Sequence, residues 1–273
     1  MARTIVVTDS SACVPSRLAR AHELRVVSIR VHVGEVTLRD GQDEAGPAVY
    51  RALAAGQAVK SSSPSASDYL LACEDGSGDA AVVITPPAEF TAMHQSAVVA
   101  SRLSNRPTLV LDCRAVAAGQ ALVVLAAAEA AGRDAPATEV LRTAEDASRR
   151  CEMLAVLDSV GPIAQSGRVA PSLLKAAERG GSCPVFRFRS GAVELVDTPR
   201  DWTEACSVLV ERWEALGGPT APESAVFHAV SDARATELAT RVGTDLVTEF
   251  SPAMGIHTGP GVVGVAWLRH PGE

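Results

Sequence analysis

A carboxylate and two hydroxyls stand together near the start of the sequence, in Asp9-Ser10-Ser11. A carboxylate at the end of a strand can act as a phosphatase-type nucleophile. That chemistry requires a second Asp two positions on, where this chain has Ser11. The simpler interpretation is a loop carboxylate or a helix N-cap ahead of Val14, and we favour it.

A run of hydroxyls at Ser61–Ser65, interrupted by Pro64, is the second candidate. Its composition is typical of a solvated linker. Its position between two predicted helices of an α/β half also suits the crevice where such folds bind ligands. Hydroxyls there can donate hydrogen bonds to a carboxylate without adding charge. Both interpretations stay open at this point.

Two further side chains are candidates because of their neighbours. His257 stands between Gly255 and Gly259, an unusual setting for a histidine packed in a core. We therefore weigh contact with a ligand equally against burial. Arg200 precedes a predicted helix, and taken alone it is typical of a surface arginine.

Two enzyme interpretations can be tested on the sequence itself. Ser61 or Ser62 with His257 and an acid would form a hydrolase nucleophile system, but no G-x-S-x-G elbow accompanies them. The string Gly259–Gly264 matches the dinucleotide fingerprint, which requires a helix after the loop. Here the pattern predicts a strand over Val262–Leu268, so a Gly-rich turn close to other backbone is favoured.

Composition excludes several classes of protein. The formal charge of −7 and the absence of any basic run argue against nucleic acid as a partner. The six cysteines show no metal-ligand spacing, so we expect no metal site. The start of the chain lacks the apolar segment of a signal peptide, which predicts a cytoplasmic protein. The longest apolar run, Ala121–Ala128, is too short for a membrane span.

Short β-branched runs alternate with longer Ala- and Leu-rich segments, which is typical of parallel βαβ units. In the first half the pattern predicts four strands, at Thr4–Thr8, Arg25–Val33, Ala81–Thr85 and Thr108–Asp112. Helices are predicted at Val14–His22, Pro47–Ala55, Ala66–Glu74, Phe90–Leu103, Val116–Ala131 and Ala137–Arg150. This half is predicted to be a doubly wound parallel sheet.

A second α/β domain with a mixed sheet is predicted to follow, with domains at 1–152 and 153–273. Paired strands are expected at Pro184–Arg189 and Ala192–Asp197 around Ser190-Gly191, and a helix at Asp201–Leu216. Ala225–Val230, Asp232–Val242, Asp245–Phe250 and Val262–Leu268 continue as strand, helix, strand and strand.

Taken in order, these motifs resemble the DegV family of bacterial fatty-acid-binding proteins. The resemblance runs nearly end to end. Its most specific motif is H-x-G-P-G-x-x-G, here His257–Gly264. The other matching segments are Thr8–Ser11, Val14-Pro15, Asp40-Gly41, Ser61–Ser65, Thr91–Ala97, Asp112–Arg114, Ser166–Val169 and the Gly191 to Arg200 spacing.

The resemblance implies two α/β domains with a long-chain fatty acid between them, carried and not transformed. Carried over by motif, the ligand-binding residues are Ser61, Ser62, Thr91, Arg200 and His257. In some relatives a separate fatty acid kinase phosphorylates the bound carboxylate, so the implied partner is a protein. No cofactor is implied, and contact with a membrane would be transient. The alternatives are another carboxylate or lipid-like metabolite as ligand, or the Ser/His acyl hydrolase.

Departures from the family pattern lie at the expected head-group loop. Thr91 replaces the Ser of the family motif and keeps a hydroxyl, Ala92 replaces its Gly, and His94 replaces its aromatic residue. A Cβ at Ala92 would oppose a positive φ or narrow the approach of a carboxylate. Pro86-Pro87 just before the loop would restrict its path. Head-group specificity is therefore the open question of the sequence.

Overall fold

In a computed structural model, which describes residues 3–42, 45–180 and 183–272, the chain forms three sheets flanked by helices. Before residue 151 the strands are β1 (Thr4–Asp9), β2 (Arg25–Val27), β3 (Arg30–Val33), β4 (Val36–Arg39), β5 (Val59–Ser62), β6 (Ala80–Thr85) and β7 (Thr108–Asp112). The helices there are α1 (Ser16–Ala21), α2 (Ala45–Ala54), α3 (Ala66–Glu74), α4 (Met93–Leu103), α5 (Ala117–Gly132) and α6 (Ala137–Arg150).

The remaining strands are β8 (Cys151–Val156), β9 (Val185–Arg189), β10 (Ala192–Asp197), β11 (Glu223–His228), β12 (Val247–Glu249) and β13 (Val263–Leu268). The helices of this half are α7 (Gly161–Ser166), α8 (Pro171–Arg179), α9 (Trp202–Ala215), α10 (Asp232–Val242) and α11 (Pro252–Thr258). Single 3-10 turns stand at Ser10–Ala12 and Gly218–Thr220.

The N-terminal sheet is parallel throughout, in the order β2-β1-β6-β7. Successive residues of β1 and β6 enter different cores: Val7 and Val83 pack toward α3 and α4, whereas Val6 and Val82 pack toward α5 and α6. A strand buried on both faces needs a continuous apolar run, which explains Ile5–Val7 and Ala81–Ile84.

The C-terminal sheet is mixed, in the order β10-β9-β8-β13-β11-β12, with one parallel pair, β11 with β12. The predicted class, α/β with a parallel sheet N-terminally and a mixed sheet C-terminally, is confirmed. The β9–β10 hairpin around Ser190-Gly191 is also confirmed. The predicted boundary at 152/153 falls inside β8, and the division into two domains stays a prediction.

Helix α5 lies between the two sheets. It contacts β1 and β6 on one side and β8, β11 and β13 on the other. Because its surface is apolar all round and rich in alanine, it can be buried on every side and let both sheets approach closely. The two halves of the chain therefore share a core.

Three differences from the sequence prediction concern the candidate residues or the strands beside them. The run Arg25–Val33 forms two strands in different sheets, β2 and β3. Strand β3 lies in a small antiparallel sheet, order β4-β3-β5, which places Ser61 and Ser62 in a strand and not in a loop. His257 belongs to the short helix α11, which begins with a proline and ends at Gly259.

Candidate functional site

A cavity of about 290 Å³ lies where the parallel and mixed sheets face each other. The sequence has five phenylalanines, and all of them line it: Phe90, Phe186, Phe188, Phe227 and Phe250. Met93, Met153 and Met254, three of the four methionines, line it as well. Concentrating the large and flexible apolar side chains in one place produces a lining suited to an apolar ligand.

The mixed sheet supplies one wall of the cavity through strand alternation. On β9 the side chains of Phe186 and Phe188 face inward, and they pair in register with Ala155 and Met153 of β8. Because side chains alternate along a strand, these four share a face. Phe90, which precedes α4, meets Phe188 with ring centroids 5.7 Å apart.

One part of the lining is polar. It holds the hydroxyls of Ser61, Ser63 and Thr91, the guanidinium of Arg168 and the imidazole of His257. The Ser63 and Thr91 hydroxyl oxygens are 3.0 Å apart. His257 contacts both Ser61 and Arg168. Its Nε2 is 3.3 Å from Ser61 Oγ, and its Nδ1 is 3.2 Å from an Arg168 amino nitrogen.

The charge state of His257 follows from its surroundings. Burial, and then the charge of Arg168, lower the pKa of His257 to about 4, so the imidazole is neutral near pH 7. A guanidinium only donates, so Nδ1 accepts from Arg168 and the ring proton is on Nε2. Nε2 then donates to Ser61 Oγ, which leaves the Ser61 hydroxyl hydrogen free to point into the cavity.

Local sequence explains how the hydroxyls are presented. Strand β5 ends at Ser62, Pro64 follows it, and Ser65 opens α3 with a reciprocal capping box to Asp68. On β5, Ser61 faces the cavity, while the Ser62 hydroxyl lies 2.9 Å from His32 Nε2 on the neighbouring strand β3. Adjacent strand residues point to opposite sides, so these two serines cannot both meet one ligand.

The five predicted site residues divide into two groups. Ser61, Thr91 and His257 line the cavity. Ser62 and Arg200 are not among the described lining residues. The Arg200 side chain is 87% exposed and its Nε donates to Glu204 at 3.2 Å, at the start of α9.

The cationic group at the cavity is Arg168, which sequence reasoning did not single out. It follows Gly167, which ends α7 with a positive φ of 69°. Its segment, Ser166–Val169, was among the matching motifs, and this was the available signal. The sequence does not show that α7 and α11 bring this arginine against His257.

The hydrolase interpretation requires a carboxylate to orient the histidine. At His257 Nδ1 the structure has a guanidinium instead. A neutral histidine beside a cation is a poor general base, since protonation would place two positive charges together. This arrangement suits binding of an anion better than activation of Ser61.

Asp9 has the helix-cap role that we favoured from sequence. It caps the turn Ser10–Ala12, accepting from the Ser11 backbone N–H at 3.0 Å, and it also accepts from Tyr69 Oη at 3.2 Å. Burial raises the pKa of Asp9 to about 6. Ser11, its neighbour, lines the cavity.

The departures at the head-group loop are accommodated without strain. Ala92 has a φ of −77°, so the expected conflict with a positive φ does not arise. His94 turns away to Thr85, with Nδ1 at 3.1 Å from Oγ1. Within the described residues we find no group of three His, Cys, Asp or Glu side chains that could hold a metal ion.

No helix within residues 3–42, 45–180 and 183–272 combines the length and apolar character needed to cross a membrane.

Comparison with known proteins gives one consistent result. A family model described as an uncharacterised protein of the DegV family matches residues 3–270. A DegV domain-containing protein of Streptomyces coelicolor is 28% identical over 271 residues, covering 95% of this chain and 96% of the relative. One of Mycobacterium tuberculosis is 26% identical, covering 96% and 95%.

Solved structures share the fold at lower identity. A fatty-acid-binding DegV family protein from Thermus thermophilus superimposes with a TM-score of 0.88 at 22% identity, covering 98% of this chain and all of that one (100%). A DegV family protein from Eubacterium eligens, loaded with heptadecanoic acid, gives a TM-score of 0.85 at 16% identity, covering 98% and 100%.

Proposed function

The chain belongs to the DegV family, and from this premise we propose that it is a cytoplasmic carrier that binds a long-chain fatty acid between its two α/β domains. The observation that carries the proposal is the cavity itself. It gathers every phenylalanine of the chain and has one polar region, in which Arg168 is the one arginine among the described lining residues. Relatives of the same fold, from Thermus thermophilus and Eubacterium eligens, are described with fatty acids.

The apolar lining would supply most of the affinity. Each buried methylene contributes about 0.8 kcal/mol, so a dozen of them give about 10 kcal/mol before the costs of association. Most of the described lining residues are apolar and offer no hydrogen-bonding side chain to a polar substituent. A saturated or unsaturated hydrocarbon tail fits this chemistry.

The polar region would hold the carboxylate. Entering the cavity removes water from the head group, and charge-assisted hydrogen bonds must replace it. We propose that Ser61 donates its hydroxyl hydrogen, that the hydrogen-bonded pair of Ser63 and Thr91 donates the one hydrogen not shared between them, and that Arg168 supplies the compensating charge. Neutral His257 would orient the Ser61 hydroxyl from behind.

We further propose that a separate fatty acid kinase receives the carrier with its ligand. The position of Arg200 supports a contact with the kinase. Its side chain is exposed, which suits a contact with another protein better than a contact with a ligand in the cavity. Replacing Arg200 by Ala should then reduce phosphorylation of the bound acid while lipid retention stays unchanged. Equal loss of both would contradict the proposal.

Native mass spectrometry tests the binding proposal directly. Delipidated protein is mixed with equimolar palmitic and oleic acids and with a dicarboxylic acid of similar length, and the mass increment identifies the ligand. We expect one monocarboxylic acid per chain. Uptake of none of these acids would overturn the proposal, and preference for a different copurifying lipid would favour the alternative ligand class.

An esterase assay separates the carrier from the hydrolase, for which the Ser61–His257 contact is the one favourable observation. We expect no turnover of a p-nitrophenyl acyl ester above background. Turnover that Ser61→Ala abolishes and Ser62→Ala leaves intact would establish hydrolysis instead.

A further inference from the structure

Helix α11 carries His257 and is held at its start by a distant residue. Its own N-cap residue, Ser251, makes no capping hydrogen bond through its side chain among the described residues. Instead, Oδ1 of Asp40 accepts from the backbone N–H of Ala253 at 3.2 Å. The first N–H groups of a helix have no partner within the helix, so an external acceptor fixes where α11 begins.

Asp40 is well placed to act as a fixed point. Its side chain is fully buried (0% exposed), and its backbone N–H donates to the carbonyl of Ile29 at 2.9 Å. Ile29 in turn lines the cavity, and its own backbone N–H donates to Ser10 Oγ at 3.1 Å. The backbone of Asp40 is thus connected, through Ile29, to the turn that follows β1.

The surroundings of Asp40 are energetically unfavourable for an ionised carboxylate. Burial raises its pKa, although the hydroxyls of Ser251 and Ser10 act in the opposite direction. Its second oxygen, Oδ2, has no hydrogen-bond partner in the described part of the chain. An apolar side chain would avoid both costs, so the contact with α11 is what the carboxylate contributes here.

The contact reaches the ligand site through the helix. Ala253 and His257 are four residues apart and therefore lie on one face of α11, and both line the cavity. A second contact limits the helix from the side: a Cβ at Gly255 would lie 2.2 Å from Tyr50 Oη on α2. Asp40 and Tyr50 together define the position of α11 over the cavity.

We propose that Asp40 is a positioning residue for the head-group site, which holds α11 where His257 meets Ser61 and Arg168. The inference rests on the proposed function, since it assigns Asp40 a part in ligand binding. Asp40 does not line the cavity, so its effect on a ligand would be indirect.

Two readouts test the inference in the full chain. The first is the pKa of His257 in ligand-free protein, followed by proton–carbon NMR of the imidazole. The second is the affinity for cis-parinaric acid, a fluorescent fatty acid. The variants are Asp40→Ala, Asp40→Asn and the matched control Asp201→Ala, which removes a carboxylate that caps α9 through the Glu204 N–H at 3.0 Å.

We expect Asp40→Ala to raise the pKa of His257 from about 4 toward 6.5, because a loosened α11 lets water reach the ring. Probe binding should weaken about tenfold, because His257 and the Ser61 hydroxyl that it contacts are no longer held in position. Asp40→Asn keeps an acceptor oxygen, so the pKa of His257 should return to about 4. The Kd for the probe should lie within about twofold of the wild-type value. Asp201→Ala should change neither.

An unchanged His257 pKa in Asp40→Ala would overturn the inference, as would an Asp40→Asn variant that behaves like Asp40→Ala. Should Asp40→Ala fail to fold, Asp40→Glu replaces it: the longer side chain displaces the acceptor, and an unchanged His257 signal would count against the inference. If wild type binds no probe while the His257 shift occurs, the proposed function fails and the positioning role stands.

Discussion

At the scale of single residues, the arrangement around His257 depends on which atoms carry hydrogens. Arg168 can only donate, so His257 must accept at Nδ1 and donate at Nε2. Ser61 then has its hydrogen available for a ligand oxygen. The arginine sets the direction of both hydrogen bonds of His257, and under the proposed function it would also supply the positive charge opposite a carboxylate.

Replacing Arg168 by Gln tests this assignment. We expect fatty acid binding to weaken by about 2 kcal/mol, or about thirtyfold in Kd, because a buried charge-assisted hydrogen bond is lost. Fluorescence titration with cis-parinaric acid measures it. Arg200→Gln is the matched control, since its side chain is exposed and not among the described lining residues. Similar losses in both variants would contradict the assignment.

Asp9 should give the protein a pH-dependent stability. Its pKa is raised from 3.8 to about 6, so in this window the folded chain binds a proton more tightly than the unfolded chain. Stability from this group therefore falls as the pH rises through the window, and above it a charged carboxylate stays buried. We expect Asp9→Asn to gain up to about 3 kcal/mol over wild type between about pH 4 and about pH 8 in urea unfolding.

His257 changes the stability in the opposite direction with pH, and it does not affect the comparison of Asp9→Asn with wild type. Its pKa is lowered from 6.5 to about 4, so the folded protein loses stability as the pH falls through that range. The effect is common to wild type and Asp9→Asn, and it cancels in their difference. A difference in unfolding free energy that is constant with pH would show that Asp9 stays charged.

Sequence predicts some of these residues and not others for a physical reason. Ser61, Thr91 and His257 lie in segments whose residue types and spacing match motifs of the family, so the resemblance pointed to them. Arg168 is set at the cavity by the packing of α7 on α11, a contact between distant segments. Spacing within a motif carries no information about such a contact, so the cation of the site could not be separated from Arg200 by sequence alone.

At the scale of secondary structure, the orientation of the serine run depends on its being a strand. Strand β5 pairs antiparallel with β3, and this pairing alternates its side chains between cavity and outer face. The sequence suggested a loop because serines and a proline dominate the segment. The pairing with β3 depends on residues far earlier in the chain, which a local pattern does not contain.

The alternation predicts different outcomes for neighbouring serines. Ser61→Ala should weaken cis-parinaric acid binding about five- to tenfold, because the ligand loses a hydroxyl donor. Ser62→Ala, which removes the contact with His32 outside the cavity, should leave Kd within about twofold. Fluorescence titration of both variants decides it. A larger effect at Ser62 would mean that β5 presents its other face to the ligand.

Other elements show where the sequence pattern was sufficient. The buried strands β1 and β6 and the half-buried strand β7 contain apolar runs, and they were predicted close to their observed bounds. The split between β2 and β3 was missed because the apolar pattern continues across Ser28-Ile29 without a glycine or proline. Helix α11 was missed because its proline, its one glycine and the Gly259 that follows it are typical of a turn.

At the scale of the whole molecule, both halves of the chain contribute residues to the cavity lining. Ile29, Ser61 and Phe90 come from the N-terminal half, and Phe188, Phe227 and Met254 from the C-terminal half. Neither half could enclose an acyl chain alone. A ligand in this cavity would add apolar contacts across the whole boundary between the sheets, in addition to those made by α5.

Ligand binding should therefore stabilise both halves together. A ligand bound only by the folded chain adds about 2.7 kcal/mol at a free concentration of about 100 times Kd. We expect hydrogen–deuterium exchange to slow in α11 and β9 and equally in β5 and the start of α4, because all four elements or their ends line the cavity. The Arg168→Gln variant at the same acid concentration should show less protection in every one of these elements. Protection confined to one half would place the acid outside the shared cavity, and would leave the carrier proposal without its structural basis.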